Sequence, residues 1–477
     1  MAFKDVRQFM EALDKNGDLV RVKRAVDWDL EVGAISRRTY EKQGPAILFE
    51  KIKGYPPGYR ILNGSIGTYR RLAIAMGLDP AISIKTLFNE YEEREKHRLK
   101  PVIVNSGPCK ENIISGDRID LYDFPAPMIH DGDGGRYIGT WHVVVSRDPE
   151  SGWTNWGMYR FMVHNSRYLL GFPLPHSHLA LVLRQKFLPA KKPMPVAIAI
   201  GTEPLTALAA STTIKLGEEE ADYAGALRQE PVELVKCETN DLLVPANSEI
   251  VIEGEIEPEK TAPEGPFGEY SGYRSGGVNL RPLLRVTAIT HRHDPILTMV
   301  SVGVPVDENH SAWSVSQSLG IKRRLKEHGV PVIDVFMPPE TTGHMIAVSV
   351  TSGGRKVAEE IGRVLTARRT GLSKIIVVDS DVDVFNLTEV AHSFATKCHP
   401  ERGIIVINCD GKANPVTPCY SAEERKALKG ATAVFDCTWP VDWPRYEIPV
   451  KSSFASIYPQ EVQDMVVKNW KKYGLTT

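Results

Sequence analysis

Apolar residues recur at spacings of three and four near the start of the chain. Val6, Phe9, Met10 and Leu13 share one face, which predicts a helix over residues 3–15. A second, heavily charged helix is predicted over residues 84–98, where Lys100-Pro101 ends the pattern. Between residues 115 and 325 the texture changes. Short β-rich runs at 141–146, 179–183, 196–200, 248–254, 284–289 and 296–301 alternate with Gly/Pro turns. That spacing predicts a sheet that curls into a barrel or sandwich. From about residue 325, strands at 330–336, 345–350, 374–378 and 404–407 alternate with helices at 355–368 and 387–397, which is the pattern of an α/β layer. The tail, 459–474, reads as one amphipathic helix. Its Val462, Met465, Val466 and Trp470 share a face suited to docking on another part of the protein or on a second subunit.

Composition narrows the class. A chain of 477 residues predicts two or three domains, and 42% hydrophobic residues supply a core. A net charge of −1 argues against nucleic acid or an anionic membrane as main partner. No apolar run reaches the ~18 residues that span a bilayer, and residues 1–6 show no secretory signal. The six cysteines are scattered without a Cys-x-x-Cys, which fits free thiols in a reducing cytoplasm.

Candidate chemistry gathers in the middle third. Glu264-Gly-Pro-Phe-Gly-Glu269 holds two carboxylates on a backbone broken by Gly265, Pro266 and Gly268, through which no helix can run. Gly132, Gly134 and Gly135 precede this region and read equally as turns or as a ligand contact. Arg160 falls on a predicted strand with Phe161 and Val163. A buried arginine needs a carboxylate partner, and Glu264 or Glu269 would serve, in a catalytic or a purely structural pair. Asn155, His178 and Glu220 offer the carbonyl, imidazole and carboxylate that Mn²⁺ or Mg²⁺ accepts. Read alone, His178 fits a surface residue as well, and Glu218-Glu219-Glu220 a solvated turn. Glu269, set between apolar neighbours and an arginine, suits proton donation near neutrality.

Together these motifs resemble the UbiD family of prenylated-FMN-dependent decarboxylases, nearest its ferulic/cinnamic acid decarboxylase branch. The resemblance runs through Gly107 to Asn112, Pro125-Ala-Pro127, Thr154-Asn-Trp156 with Arg160, Val163-His164 with His178, and Asp222 to Ala226. It continues through Glu233 to Asp241, Val244 to Glu249, Glu264 to Glu269, Asp307-Glu308 and the tail from Tyr458 to Gly474. The implied fold is α+β and multi-domain. An N-terminal α/β segment spans 1–112, a central split β-barrel binding the flavin spans 113–322, and a C-terminal α/β domain with a docking helix spans 323–477. The implied reaction is reversible non-oxidative decarboxylation through a covalent prenylated-FMN adduct.

The resemblance also implies roles. Arg160, Glu264 and Glu269 match the catalytic network, with Glu269 the proton donor. Asn155, His178 and Glu220 match the divalent-metal ligands, and Trp156, Ala209, Ala210, Thr212 and Glu220 the shell of a potassium ion. Residues Asn155, Trp156, Gly157, Met158, Tyr159 and Arg160, with Ser177, line the cofactor. Arg369, or its rival Lys374, stands where a basic residue meets the flavin phosphate. Met158, Phe172, Ser177, Tyr270 and Trp313 are expected to shape the substrate pocket, and the bulk of Tyr270 and Trp313 favours a flat aromatic or heteroaromatic acid over a longer acrylate. Implied partners are a small carboxylic acid, a flavin prenyltransferase as cofactor supplier, and further copies of the chain in a homodimer or dimer-based hexamer. An FMN-dependent reductase and a non-catalytic subunit of a carboxylase complex are the alternatives.

Overall fold

The computed structural model describes residues 3–171, 177–274 and 276–475. The first helix, Val6–Lys15, buries Val6, Phe9, Met10 and Leu13, the four residues its periodicity singles out. Asp5 caps it by accepting from the Gln8 N–H at 2.9 Å. The charged helix is shorter than its pattern predicts. It runs Ile84–Arg94 and starts at the capping Ser83.

Three of the strands in the N-terminal sheet are local: Leu19–Val22, Ala46–Phe49 and Arg60–Asn63. The fourth is Ile296–Met299, which runs parallel to Arg60–Asn63 with Ile296 opposite Arg60. A strand from the middle of the chain therefore completes this first sheet.

Among the described residues a curled sheet of nine strands forms the centre, one of them Asn112–Ser115, which pairs with the His291 end of Asn279–His291. Its spine is a long antiparallel hairpin, Ile250–Glu264 paired with Asn279–His291, much longer than the runs at 248–254 and 284–289 predict. On one side lie Tyr168–Gly171, Phe161–Asn165 and Tyr137–Gly139. On the other lie Met194–Ile200, His142–Arg147 and Thr154–Gly157. One expected strand is absent: residues 179–183 are helical. Ser177 caps the helix His178–Val182 through the Ala180 N–H, and a wider helical turn follows over Leu183–Phe187. An apolar run of that length fits a strand or a buried helix, and the serine cap decides it.

Helix Glu308–Glu327 leads into the C-terminal layer. Its sheet has the order Val332–Phe336, Met345–Val350, Lys374–Asp379, Ala431–Cys437, Ile404–Asn408. Helices Arg355–Thr366 and Leu387–Lys397 cover it, as the strand–helix alternation predicts. The tail is a helix over Gln460–Asn469 that tightens into a 3₁₀ turn over Trp470–Tyr473, and it buries none of its residues. No helix among the described residues is long and apolar enough to cross a membrane, and the six cysteines are unpaired.

Candidate active site

The long hairpin delivers both candidate carboxylates. Glu264 is the last residue of its first strand, opposite Asn279, and Glu269 lies in the connection between the strands. Gly265 leaves the strand at φ +87°, a conformation that disfavours side chains. The connection packs tightly against the glycine loop before the sheet. A Cβ on Gly134 would lie 2.2 Å from the Gly265 carbonyl oxygen, and the Gly134 N–H donates to Pro266 O at 2.8 Å. Gly134 is thus a close-approach residue that positions the Glu264–Glu269 loop.

Arg160 does not sit within a strand as its neighbours suggested. It occupies the break between Thr154–Gly157 and Phe161–Asn165. From there its Nε and Nη2 donate to the two oxygens of Glu264 at 2.8 and 3.0 Å, and its Nη1 donates to Glu269 Oε1 at 2.7 Å. Glu264 is wholly buried, whereas Arg160 and Glu269 keep slight access. Burial works against the guanidinium's charge, yet the bonds to Glu264 and the field of Glu269 outweigh it and hold its pKa above arginine's ordinary value. Phe267 lies under the same guanidinium, 4.9 Å from its ring centre. Tyr137, which nothing in the sequence marked out, donates to Glu264 Oε1 at 2.8 Å. Burial first, and then the charge of Glu264, push that phenol above its ordinary range.

A second cluster forms around the helix cap at Ser177. His178 Nδ1 lies 3.2 Å from Asn155 Oδ1, and Ser177 and Asn155 both act on the buried Tyr159 hydroxyl. Burial lowers the His178 pKa, so its ring is neutral at physiological pH, the form that ligates metals. Glu220 opens helix Glu220–Arg228, is 2% exposed, and accepts the Trp156 N–H at 2.7 Å. Burial pushes its carboxyl up to about 8. A cation beside it would offset that desolvation. Ala209, Ala210 and Thr212 stand at the carbonyl end of the neighbouring helix Pro204–Ala210, whose dipole favours positive charge. Among the described residues no group of three His, Cys, Asp or Glu side chains converges, so the metal-compatible set includes the Asn155 amide. These donors fit a divalent ion and a monovalent ion in chemistry.

The pocket residues divide. Tyr270 and Trp313 meet edge to face at 4.8 Å, and the Tyr270 hydroxyl accepts from Asn414 Nδ2 at 2.8 Å. Burial raises Tyr270 to about 12. Ser177 belongs to the second cluster, Met158 lies on the segment joining it to Arg160, and Phe172 lies outside the described residues. Arg369 is exposed, and its charge acts on Tyr270. Lys374 Nζ donates to Ser373 Oγ at 3.2 Å. Besides Tyr137, sequence reasoning missed two buried histidines, His142 and His310, which bond to the carbonyls of Tyr159 and Tyr270.

Comparison with known proteins gives this geometry a lineage. Three consecutive family domains match: the N-terminal domain of 3-octaprenyl-4-hydroxybenzoate carboxy-lyase over residues 10–91, its Rift-related domain over 100–305 and its C-terminal domain over 310–437. The pyrrole-2-carboxylic acid decarboxylase of Pseudomonas aeruginosa is 33% identical, with 98% of each chain covered. Ferulic acid decarboxylase 1 of Saccharomyces cerevisiae is also 33% identical, again with 98% of each chain covered. Among solved structures, the vanillic acid decarboxylase of Sedimentibacter hydroxybenzoicus in its closed form superposes with a TM-score of 0.88 at 31% identity, covering 99% of this chain and 100% of that one. An evolved dimeric form of the UbiD-class enzyme HmfF from Pelotomaculum thermopropionicum, in complex with prFMN, superposes at 0.80 with 29% identity, covering 94% and 97%. With a third of its positions shared along nearly the whole length of two such decarboxylases, the chain belongs to the UbiD family of carboxy-lyases.

Proposed function

We propose that the protein reversibly removes CO₂ from an aromatic or heteroaromatic carboxylic acid, or from an α,β-unsaturated one, with prenylated FMN as cofactor. The observation that carries the reading is the single guanidinium of Arg160 gripping Glu264 and Glu269 at 2.7–3.0 Å. Losing CO₂ from an sp² carbon leaves an electron pair that no side chain here can delocalise. Prenylated FMN, when bound, supplies the acceptor for that pair.

The chain's own residues do the rest. Arg160 draws the substrate carboxylate by charge and fixes its orientation. Glu264, buried and bonded also to Tyr137, keeps the guanidinium in one attitude. Glu269 is the proton donor, delivering a proton to the carbon that lost CO₂. Tyr270 and Trp313 wall a flat acid, a shape consistent with relatives named for pyrrole-2-carboxylate and vanillate. Residues 155–160, Ser177, His178, Glu220 and Arg369 would hold the cofactor. Asn155, His178 and Glu220 would hold Mn²⁺ or Mg²⁺, and Trp156, Ala209, Ala210, Thr212 and Glu220 would hold K⁺.

In this reading residues 1–112, 113–322 and 323–477 are three parts, the middle one a split barrel for the flavin. A flavin prenyltransferase supplies the cofactor in the cytoplasm. The exposed apolar residues of the tail, Met465, Val467 and Trp470 among them, pack on a second copy in a homodimer or dimer-based hexamer.

The test is paired expression with and without a flavin prenyltransferase, a mass spectrum of the bound flavin, and CO₂ release from pyrrole-2-carboxylate, vanillate, ferulate and cinnamate. Release by the prenylated preparation alone is expected. Equal release by both preparations would overturn the cofactor assignment.

A further inference from the structure

We propose that two buried histidines, His142 and His310, are positioning residues that clamp the backbone on either side of the Arg160–Glu269 contact. The inference rests on the roles proposed above for Arg160 and Glu269. Each histidine bonds to the main-chain carbonyl of a residue adjacent to one member of that pair.

His142 opens the strand His142–Arg147 and is 1% exposed. Its Nε2 lies 2.9 Å from Tyr159 O, one residue before Arg160. Tyr159 stands where the strand pairing lapses, and among the described residues no main-chain N–H donates to its carbonyl. A carbonyl only accepts, so Nε2 carries the hydrogen. Nδ1 is then left with a lone pair, and it is buried without a partner among the described residues. Burial pushes the imidazole pKa down to about 4, so the ring stays neutral. An apolar side chain would avoid the orphaned nitrogen. What the imidazole adds is one donor, aimed at the residue before Arg160.

His310 does the same on the other side. It is 3% exposed, in the first turn of helix Glu308–Glu327. Its Nδ1 accepts the Asp307 N–H at 3.1 Å and lies 3.0 Å from Asp307 Oδ1. Its Nε2 donates to Tyr270 O at 2.6 Å, one residue after Glu269. Again no main-chain N–H among the described residues donates to that carbonyl. Glu or Gln usually completes a capping box at this helix position. Glu only accepts, and a Gln amide on its flexible stem serves the cap or Tyr270 O one at a time, whereas the two nitrogens of the rigid ring serve both at once. Asp307 is anchored in turn by Arg37 Nη1 at 3.5 Å and by the Asn309 N–H at 3.0 Å. The Glu269 segment is thereby tied to a helix start, and the Arg160 segment to a strand of the nine-stranded sheet next to its edge.

The two tethered segments are those whose side chains meet at 2.7 Å. Drift of either would move the proposed proton donor relative to the carboxylate anchor, and misplacement by about 1 Å costs about 100-fold in rate.

The test compares His→Leu, which removes the donor, with His→Gln, whose amide keeps one near the Nε2 position, at each site. Hydrogen–deuterium exchange is followed on the cofactor-free full chain, and kcat and KM for pyrrole-2-carboxylate on the prenylated-FMN holoprotein. His310→Leu is expected to speed exchange in peptides spanning 269–273, and His142→Leu in peptides spanning 158–161. Each Leu variant should lower kcat about 10- to 100-fold with KM within about threefold, and each Gln variant should recover kcat to within about fivefold of the parent. Where a Leu variant does not fold, Asn, whose amide stops short of the carbonyl, replaces it. Unchanged exchange beside the tethered carbonyl overturns the clamp, and so does a Gln variant no better than Leu. The exchange arm needs no turnover, so a failed decarboxylase reading would leave it decisive on its own.

Discussion

Replacing Arg160 by lysine keeps the charge and removes the fork. The guanidinium makes three charge-assisted hydrogen bonds, two to Glu264 at 2.8 and 3.0 Å and one to Glu269 at 2.7 Å. An ammonium on a single stem cannot span two carboxylates that a planar fork holds apart. It keeps one of the three bonds. Two lost bonds to charged groups, at about 1.5–3 kcal/mol each, come to about 3–6 kcal/mol. The partly exposed Glu269 recovers some of this from water, so the lower end, about 3 kcal/mol, is the expectation. That loss is one of stability; the loss in kcat/KM comes from the displaced acids, roughly 100-fold for a shift of about 1 Å. CO₂ release from pyrrole-2-carboxylate by holoprotein of matched flavin content reads the effect. Thermal unfolding reads the stability loss separately, and the folded state persists because Tyr137 still donates to Glu264 and the buried carboxylate keeps lysine as a partner. Arg160→Lys within fivefold of the parent, flavin retained, would refute the argument that the fork organises the two acids.

Three further outcomes follow from the same structure. Glu269→Gln should cut CO₂ release by about 10³-fold while the flavin spectrum is kept, and retained turnover would remove Glu269 as proton donor. Burial pushes Glu308 up from 4.5 to about 7, so the folded chain holds a proton there that the unfolded chain releases. Stability is therefore lost as pH rises from about 4.5 to 7. Glu308→Gln should gain up to about 3 kcal/mol over the parent at pH 8 and nothing at pH 4, measured by urea unfolding at both; an equal difference at the two pH values would contradict this. Trp313→Leu, by removing the ring that meets Tyr270, should raise the kcat/KM ratio of cinnamate to pyrrole-2-carboxylate about tenfold, and an unchanged ratio would take Trp313 out of the pocket.

Local chemistry made much of this legible. The helix Val6–Lys15 was readable because its four apolar residues have one place to go. Four of the five C-terminal strands and the helices Arg355–Thr366 and Leu387–Lys397 were readable because each is short, regular and bounded by polar residues, whereas the strand Ala431–Cys437 was not marked out. The loop from Glu264 to Glu269 was readable because Gly and Pro forbid the alternatives. What escaped depends on distant partners. The hairpin strand Ile250–Glu264 carries Glu253, Glu255, Glu257 and Glu259, an acidic alternation that hides a strand until its partner strand is present. Residues 179–183 are apolar enough for either kind of element, and their helix was announced only by Ser177. Tyr137, His142 and His310 had no local signal, because their meaning lies in a carboxylate or carbonyl far along the chain.

The parallel pairing of Ile296–Met299 with Arg60–Asn63 bears on how such chains can be recombined. A chimera spliced near residue 112 would take its first sheet from two parents, with the outermost strand foreign to the strand it lies beside. Arg7, bonded to Glu249 through two oxygens at 2.7 Å, would face the same mismatch. Crossovers that carry residues 1–112 and 249–299 together would preserve both contacts, and a protease nick between them should leave two fragments that still travel as one body.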